Sequence, residues 1–98
     1  MAQFDVHRTR DAGLVLDCQN GSLAHLGTRV VAPLIPVAGA PAARDRLHPL
    51  FEVGGQAHLL ATHLVATIPA KELGPAISSL ASEHVAIIGA FDRLLTGV

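Results

Sequence analysis

Hydrophobic and polar residues alternate along the first part of this chain, which is the pattern of half-buried β-strands. Phe4 and Val6 alternate with polar neighbours and predict a first strand. Leu16 and Cys18 share one face of a second strand in the same way. Asp17 falls between them, so the pattern places it on the opposite face, where we expect an exposed position.

Turn residues and prolines divide the next part of the chain. Asn20-Gly21 predicts a turn, because both residues tolerate positive φ angles. The apolar stretch 29–37 predicts a third strand. It contains Pro33 and Pro36, which have no N–H group to donate to a neighbouring strand. This strand is therefore expected at a sheet edge or with a bulge.

A glycine pair marks the centre of a predicted hairpin. Residues 50–53 and 56–61 flank Gly54-Gly55 and predict two strands joined by a two-residue turn. Residues 63–68 predict a further strand, and Pro69 ends it. The sheet is thus expected to continue through the middle of the chain without a helix.

The apolar residues change to a helical spacing near the end of the chain. Ile87, Phe91 and Leu94 recur three or four positions apart and predict an α-helix over 82–95. Gly97 follows the last periodic residue, at a position where helices commonly stop. The C-terminal element is therefore expected to be a helix with an apolar stripe on the sheet.

The composition adds a partner to this picture. The chain has 98 residues, which predicts a single domain over residues 1–98, mainly β, with five or six strands and one C-terminal helix. Half of the residues (50%) are hydrophobic. A core this small does not readily cover that much apolar surface, so part of it is expected in a homodimer interface.

Charge and aromatic content exclude the usual nucleic-acid surfaces. The formal net charge is −1, so the chain has no basic excess with which to neutralise phosphates. Only 3% of the residues are aromatic and none is Trp or Tyr, which argues against a base-stacking platform. We therefore expect no direct nucleic-acid binding by the chain alone.

The sequence also predicts a cytoplasmic location. Its one cysteine excludes an intrachain disulfide framework. The start of the chain has neither the basic residues nor the apolar stretch of a signal peptide. The stretch 53–70 has no formal charge, but its glycines, histidines and Pro69 fit paired strands better than a membrane span. We expect no membrane association.

No set of residues has the spacing of a catalytic or metal site. The chain has six histidines, but His58 and His63 are five positions apart and would point to opposite faces of a strand. Cys18 lacks the local signature of a nucleophile and is interpreted as a small core residue. The sequence thus predicts no catalytic residue, no metal site, no cofactor and no enzymatic activity.

Several short motifs follow one another in an order that is specific as a set. They are Gln3-Phe4-x-Val6, Leu16-Asp17-x-Gln19, Arg29-x-Val31-x-Pro33-Leu34, Leu47-x-Pro49, Ala66-Thr67-Ile68-Pro69 and Ala90-Phe91-Asp92-x-Leu94-Leu95-Thr96-Gly97-Val98. No single motif is highly specific. The ordered set, which covers nearly the whole chain, resembles the CcdB family of toxins.

The resemblance implies a fold, a target and an antidote. CcdB-like proteins have an SH3-like antiparallel β-barrel with one C-terminal α-helix, and they form homodimers. The dimer inserts between the A subunits of DNA gyrase and traps gyrase on cleaved DNA. A cognate antitoxin with a disordered C-terminal tail removes it. The chain is thus expected to be the toxin of a type II toxin–antitoxin system.

The resemblance also assigns residues to each partner. The gyrase-binding residues by motif position are Asp92, Leu95, Thr96, Gly97 and Val98, with Leu23 in an earlier loop. The antitoxin is expected to contact the loop 38–48, where Arg44 and Arg46 supply local positive charge.

The family pattern is broken at one important position. The best-known member has a tryptophan where this chain has Thr96. Aromatic side chains dominate binding hot spots, so this exchange is expected to weaken gyrase binding by about 2 kcal/mol or more.

Two alternatives remain open from the sequence. The same barrel is used by MazF-like endoribonucleases, although such an enzyme needs a basic groove for RNA and this chain has only seven basic residues. The second alternative is a CcdB-like dimer that has lost gyrase poisoning.

Overall fold

The computed structural model describes residues 2–11, 13–38 and 45–98. These residues form seven β-strands and one α-helix. The strands are β1 (Asp5–Thr9), β2 (Leu14–Asp17), β3 (Thr28–Pro36), β4 (Leu50–Val53), β5 (Gln56–Leu60), β6 (Ala66–Pro69) and β7 (Leu73–Ser79). Helix α1 spans His84–Thr96, and 3₁₀ segments are formed by Gly21–Leu26, Thr62–Leu64, Ala70–Glu72 and Ala81–Glu83.

All strand pairs are antiparallel, as the fold prediction requires. The strand order is β4-β5-β3-β2-β1-β7, and β6 also pairs with β3. The long β3 strand divides its outer side between two partners: its first half pairs with β6 and its last residues pair with β5. The mainly β prediction with a C-terminal helix is confirmed, although the seven strands exceed the five or six expected.

The core lies between one face of the curled sheet and α1. Its fully buried members include Val6, Leu16, Leu60 and Ile87. The register places Val6 beside Leu16, and Leu16 beside Ala32, so that these strands contribute to one face. Cys18 packs at the margin of this cluster, as the sequence predicted for a small core residue.

The proline strand is central in the sheet, so the prediction of an edge position is wrong. The nitrogen of Pro33 faces the side of β3 on which β6 ends and β5 begins, where Ala61 donates its N–H to the carbonyl of Pro33. Pro36 lies beyond Leu14, the first residue of β2 that pairs with β3. Both missing N–H groups therefore fall where the ladder has no donor to lose.

Strand β7 was not predicted, because its sequence contains Gly74-Pro75. The strand lies at the edge of the sheet and pairs only with β1 in the described residues. The register shifts between His7 and Thr9, opposite this dipeptide. A Cβ atom at position 74 would lie 2.9 Å from the backbone oxygen of Arg8, so the close approach of the two strands requires glycine.

The remaining differences concern local boundaries. The strand predicted over 63–68 begins only at Ala66, because Thr62–Leu64 forms a 3₁₀ turn. The predicted turn at Asn20-Gly21 is present, since Asn20 accepts the N–H of Leu23 at its carbonyl and that of Ser22 at its side chain, but Asn20 has a φ of −58° and needs no positive φ. Gly54 and Gly55 do have positive φ, at 61° and 81°, which confirms the predicted hairpin turn.

Asp17 is fully buried, not exposed as its place in the strand pattern suggested. Its carboxylate accepts hydrogen bonds from Nε and Nη2 of Arg29, at 3.0 and 2.7 Å, and from the backbone N–H of Gln19. Arg29 itself is 1% exposed. The two charges satisfy one another, which explains how both can lie on a buried face.

Candidate functional site

The end of α1 is held in one conformation by three hydrogen bonds. Gly97 has a φ of 78° and donates its N–H to the carbonyl of Arg93, which is the left-handed helix cap that the sequence predicted. The guanidinium of Arg93 donates back to the carbonyl of Gly97 at 2.6 Å. The hydroxyl of Thr96 donates to the carbonyl of Asp92 at 2.7 Å.

This capped end carries large apolar side chains in solvent. Leu95 is 76% exposed and Val98 is 71% exposed. A neighbouring face of the same helix buries Ile87 and Ala90 completely. The helix is therefore apolar on two sides, and only one of them is used by the core of this chain.

An apolar groove runs beside the helix end, between α1 and the 3₁₀ segment Gly21–Leu26. Leu23, Ile88 and Leu95 line it, and each has more than 40% of its surface exposed. The structure thus brings Leu23 and Leu95 to one groove, as expected if both contact the same partner. Among the described residues, the groove wall includes few polar groups: the side chains of Gln19 and Asn20 and the thiol of Cys18.

A second cleft lies on the other side of the helix, between α1 and β4. Asp92 faces this β4–α1 cleft and not the apolar groove. Arg46 lines the same cleft, and its Nη2 atom would lie 3.8 Å from a Cβ atom at Gly89. A residue predicted to bind gyrase and a residue predicted to bind the antitoxin therefore share one cleft. Arg44 lies outside the described residues.

The model of the family described as CcdB protein matches residues 3–97. The chain belongs to the CcdB family. As a CcdB-family protein it is a toxin of a toxin–antitoxin system, and its natural partner is an antitoxin.

Solved structures agree on the fold of this CcdB-family toxin. The Mycobacterium tuberculosis toxin MazF-mt6 is similar, with a TM-score of 0.65 over 91% of this chain and 93% of that one. The identity is 24%, so this likeness concerns the fold, which is the predicted SH3-like barrel with a C-terminal helix. A search of curated proteins gave no match.

The chemistry of Cys18 in this CcdB-family toxin is that of a buried thiol. Burial and, to a smaller extent, the neighbouring Asp17 carboxylate raise its pKa to about 12, although a hydrogen bond from the backbone of Ala32 opposes the shift in part. The Sγ atom donates to the carbonyl of Leu16 at 3.4 Å. A thiol with so high a pKa is a poor nucleophile at neutral pH.

Two histidines that the sequence analysis treated as unrelated lie together in the fold. Nε2 of His48 is 2.8 Å from Nδ1 of His63. The pair was missed because the residues are fifteen positions apart and in different elements, so no local spacing reveals it. In the described part of the chain, no three His, Cys, Asp or Glu residues come together as a metal-binding group. No described helix is long and apolar enough to span a membrane.

Proposed function

We propose that this CcdB-family toxin binds the A subunit of DNA gyrase through the end of α1 and traps gyrase on cleaved DNA. The observation that supports the proposal is the capped helix end, which holds Leu95 and Val98 in solvent, with Leu95 beside Leu23 in the apolar groove. Such a surface adds no stability to the folded monomer, because no described residue covers it. It fits a partner that buries it.

The energetics favour this surface as a binding site. Burying a leucine or valine side chain is worth about 1.5 to 3 kcal/mol. The cap bonds from Arg93 and Thr96 fix the backbone before any partner arrives, so less conformational entropy is lost on binding. Thr96 itself offers only a methyl group beside its bonded hydroxyl, and we expect weaker binding than an aromatic side chain would give at this position.

Gyrase poisoning in this form requires a symmetric pair of tails, and so we include a homodimer in the proposal. The exposed apolar side chains support it, since Leu26 and Leu64 are 54% and 51% exposed in addition to those of the groove. Sedimentation at micromolar concentration should give about twice the chain mass of 10.2 kDa. A strict monomer at that concentration would exclude insertion between two gyrase subunits.

The antitoxin is expected to act on the same helix. Arg46 and Asp92 line the β4–α1 cleft together, so an antitoxin segment anchored near Arg46 would reach a residue that the gyrase complex also uses. The two partners would then compete for the helix. Charge reversal at Arg46 and Arg44 should weaken antitoxin binding, whereas reversal at Lys71, which is exposed outside the cleft, should not.

An endoribonuclease toxin is the second candidate, favoured by the similarity to toxin MazF-mt6. The charges of this chain argue against it. Arg29 is fully engaged with Asp17 and is buried, so it offers no free cation to a phosphate. We propose that the chain is not an enzyme and acts in the cytoplasm, where gyrase works. Cleavage of RNA by the pure protein would overturn this.

The decisive experiment measures cleaved DNA trapped by purified gyrase. Four chains are compared with the natural one: a chain ending at Leu95, Leu95→Ser, Thr96→Trp, and Ile35→Ser as the control. Ile35 lies in β3 and is 44% exposed, and it lines neither the apolar groove nor the β4–α1 cleft. We expect the first two to lose trapping, Thr96→Trp to gain it, and the control to behave as the natural chain.

Two outcomes would revise the proposal. Equal trapping by every variant would exclude the helix end as the working surface. Trapping by Thr96→Trp alone would show that this chain retains the scaffold and has lost the poison. The melting temperature of each variant is measured in parallel, so that loss of folding is not mistaken for loss of binding.

A further inference from the structure

Two imidazole rings from different parts of the chain converge near the open end of the β4–β5 hairpin. His48 lies just before β4, and His63 lies in the 3₁₀ turn after β5. Nε2 of His48 faces Nδ1 of His63 at 2.8 Å, and the rings meet edge to face at 77°. His63 lies outside the proposed gyrase and antitoxin surfaces, and His48 is the last residue of the loop 38–48.

The facing nitrogens need a positively polarised atom between them. A neutral imidazole carries one N–H group and one lone pair, so two nitrogens at 2.8 Å share one proton or bind one cation. Two lone pairs at this distance would repel each other. A shared proton requires one imidazole to act as the donor, whereas a metal ion accepts the lone pairs of both nitrogens.

A carboxylate lies beside the first ring. Oδ1 of Asp45 accepts the backbone N–H of His48 at 2.8 Å and lies 3.6 Å from Nδ1 of the same residue. This position favours a proton on Nδ1, which leaves the lone pair of Nε2 directed at His63. An outer carboxylate beside the far nitrogen is the usual support of a metal-binding histidine.

We infer that His48 and His63 form an open, two-imidazole site for a divalent transition-metal ion such as Zn²⁺ or Ni²⁺, with Asp45 as the supporting carboxylate. Zn–N bonds of about 2.0–2.1 Å at a tetrahedral angle place two nitrogens about 3.3 Å apart. The rings must therefore separate by about 0.5 Å. His63 is exposed, and the side chain of His48 is 25% exposed, so small rotations suffice.

The ligand set determines the affinity and the choice of ion. No third ligand completes the site among the described residues, so water fills the other positions and binding is weaker than in a closed structural site. Imidazole suits Zn²⁺, Ni²⁺ and Cu²⁺, whereas Ca²⁺ prefers oxygen ligands. Ca²⁺ is therefore the matched control ion.

The bound ion would join two segments that enter and leave one hairpin. His48 leads into β4, and the turn that carries His63 packs against β3 and α1. Because the site exists only in the folded chain, the ion should stabilise the fold by mass action. The site thus links metal supply to the stability of the helix-bearing side of the toxin.

Titration calorimetry and thermal unfolding of the untagged protein test the site with ZnCl₂, NiCl₂ and CaCl₂. The variants are His48→Gln and His63→Gln, with His25→Gln and His84→Gln as controls, because both control histidines are exposed and belong to no pair. We expect one Zn²⁺ or Ni²⁺ per chain, and a Tm rise of about 10 to 20 °C at a free ion concentration one hundred times the Kd.

Each paired variant should lose at least about tenfold in affinity, Asp45→Asn about tenfold, and the two controls nothing. The inference fails if the natural chain shows no Zn²⁺ binding, if either control loses as much as the paired variants, or if Ca²⁺ binds equally well. If one paired variant does not fold without metal, the other decides, because each ligand is required. The proposed action on gyrase is independent of every one of these results.

Discussion

The two faces of the β1–β2–β3 sheet are buried to the same degree by opposite chemistry. On the face toward α1, Val6, Leu16 and Ala32 are wholly inaccessible and apolar. The other face buries Val31 and also the charged Asp17 and Arg29, which are equally inaccessible. The apolar groups exclude water because they cannot bond with it, whereas the two charged groups can be buried because they bond with each other.

The two faces are expected to respond differently to substitution. An apolar core loses stability in proportion to the atoms removed, so smaller side chains are graded in effect. The loss of stability is not graded in this way for a buried ion pair, because removal of one partner leaves the other charge buried without compensation. A single substitution in the ion pair is therefore expected to cost more stability than a single truncation on the apolar face.

The largest expected effect is on the ion pair. Arg29→Met leaves Asp17 buried without its partner, and unfolding in urea should show a loss of about 3 to 5 kcal/mol. The double variant Asp17→Leu with Arg29→Met removes both charges and should recover most of that loss. A double variant as unstable as the single one would show that packing, and not charge, is at stake.

Truncation of the apolar face comes next. Leu16→Ala should reduce the free energy of unfolding by about 2 to 5 kcal/mol, since the cavity is surrounded by strands that cannot close on it. Leu16→Met, which nearly conserves volume, is the control and should cost less than about 1.5 kcal/mol. Similar losses for both would indicate that shape matters more than volume at this position.

Cys18 packs against the apolar face and follows Asp17 in the chain, so its ionisation depends on both burial and the Asp17 charge. Its pKa of about 12 exceeds the ordinary value of 9.0, so the folded chain keeps the proton that the unfolded chain releases. The associated stability is complete below pH 9 and is lost progressively as the pH rises from 9 toward 12. Urea unfolding at pH 8, 9.5 and 10.5 should show this decline, and Cys18→Ala should reduce it.

The same thiol should react slowly in the folded chain. At pH 8 only about 1 thiol in 10,000 is ionised at such a pKa, and the thiolate is the reactive form. Labelling with a disulfide reagent should accelerate by orders of magnitude in urea. Fast labelling without urea would contradict the burial of this group.

The smallest effect is expected at the helix end, which belongs to neither face. Removal of residues 97 and 98, or Leu95→Ser, should change stability by less than about 0.5 kcal/mol, because these side chains are exposed. Thermal unfolding measures this directly. A larger loss would mean that the end of the helix is part of the folding unit and is not reserved for a partner.

The sequence predicted the apolar face and could not predict the polar one. Alternation identified β1, β2 and the β4–β5 hairpin, because each strand has one apolar side and a clear turn. It misplaced Asp17, because the partner that allows its burial lies twelve residues away on another strand. A polar residue is assigned to solvent unless its partner is known, and only the fold brings the partner to it.

The candidate sites follow the same rule. The end of the helix was within reach of the sequence, because Gly97 is a local signal, whereas the apolar periodicity placed Leu95 in the stripe on the sheet and did not predict its exposure. The division of the predicted gyrase residues between two sides of the helix, and the convergence of His48 with His63, were not. Both depend on contacts between elements that are distant in the chain.

Phe4 connects three distant parts of the chain through an unusual backbone conformation. It is the only non-glycine residue of the described chain with a positive φ, at 69°. Its N–H donates to the carbonyl of Asp17, and its carbonyl accepts the N–H of Leu80. A side chain in this region of φ costs about 1 to 2 kcal/mol, so the conformation persists only when both partners are in place.

This arrangement has a consequence for the order of folding. Residue 4 reaches its native conformation only after Asp17 of β2 and Leu80, which follows β7, are in place. Contacts so distant in sequence form late. Phe4→Leu should therefore accelerate unfolding in stopped-flow experiments and leave the refolding rate nearly unchanged. The segment that leads into β1 would then be the last part of the fold to form and the first to unfold.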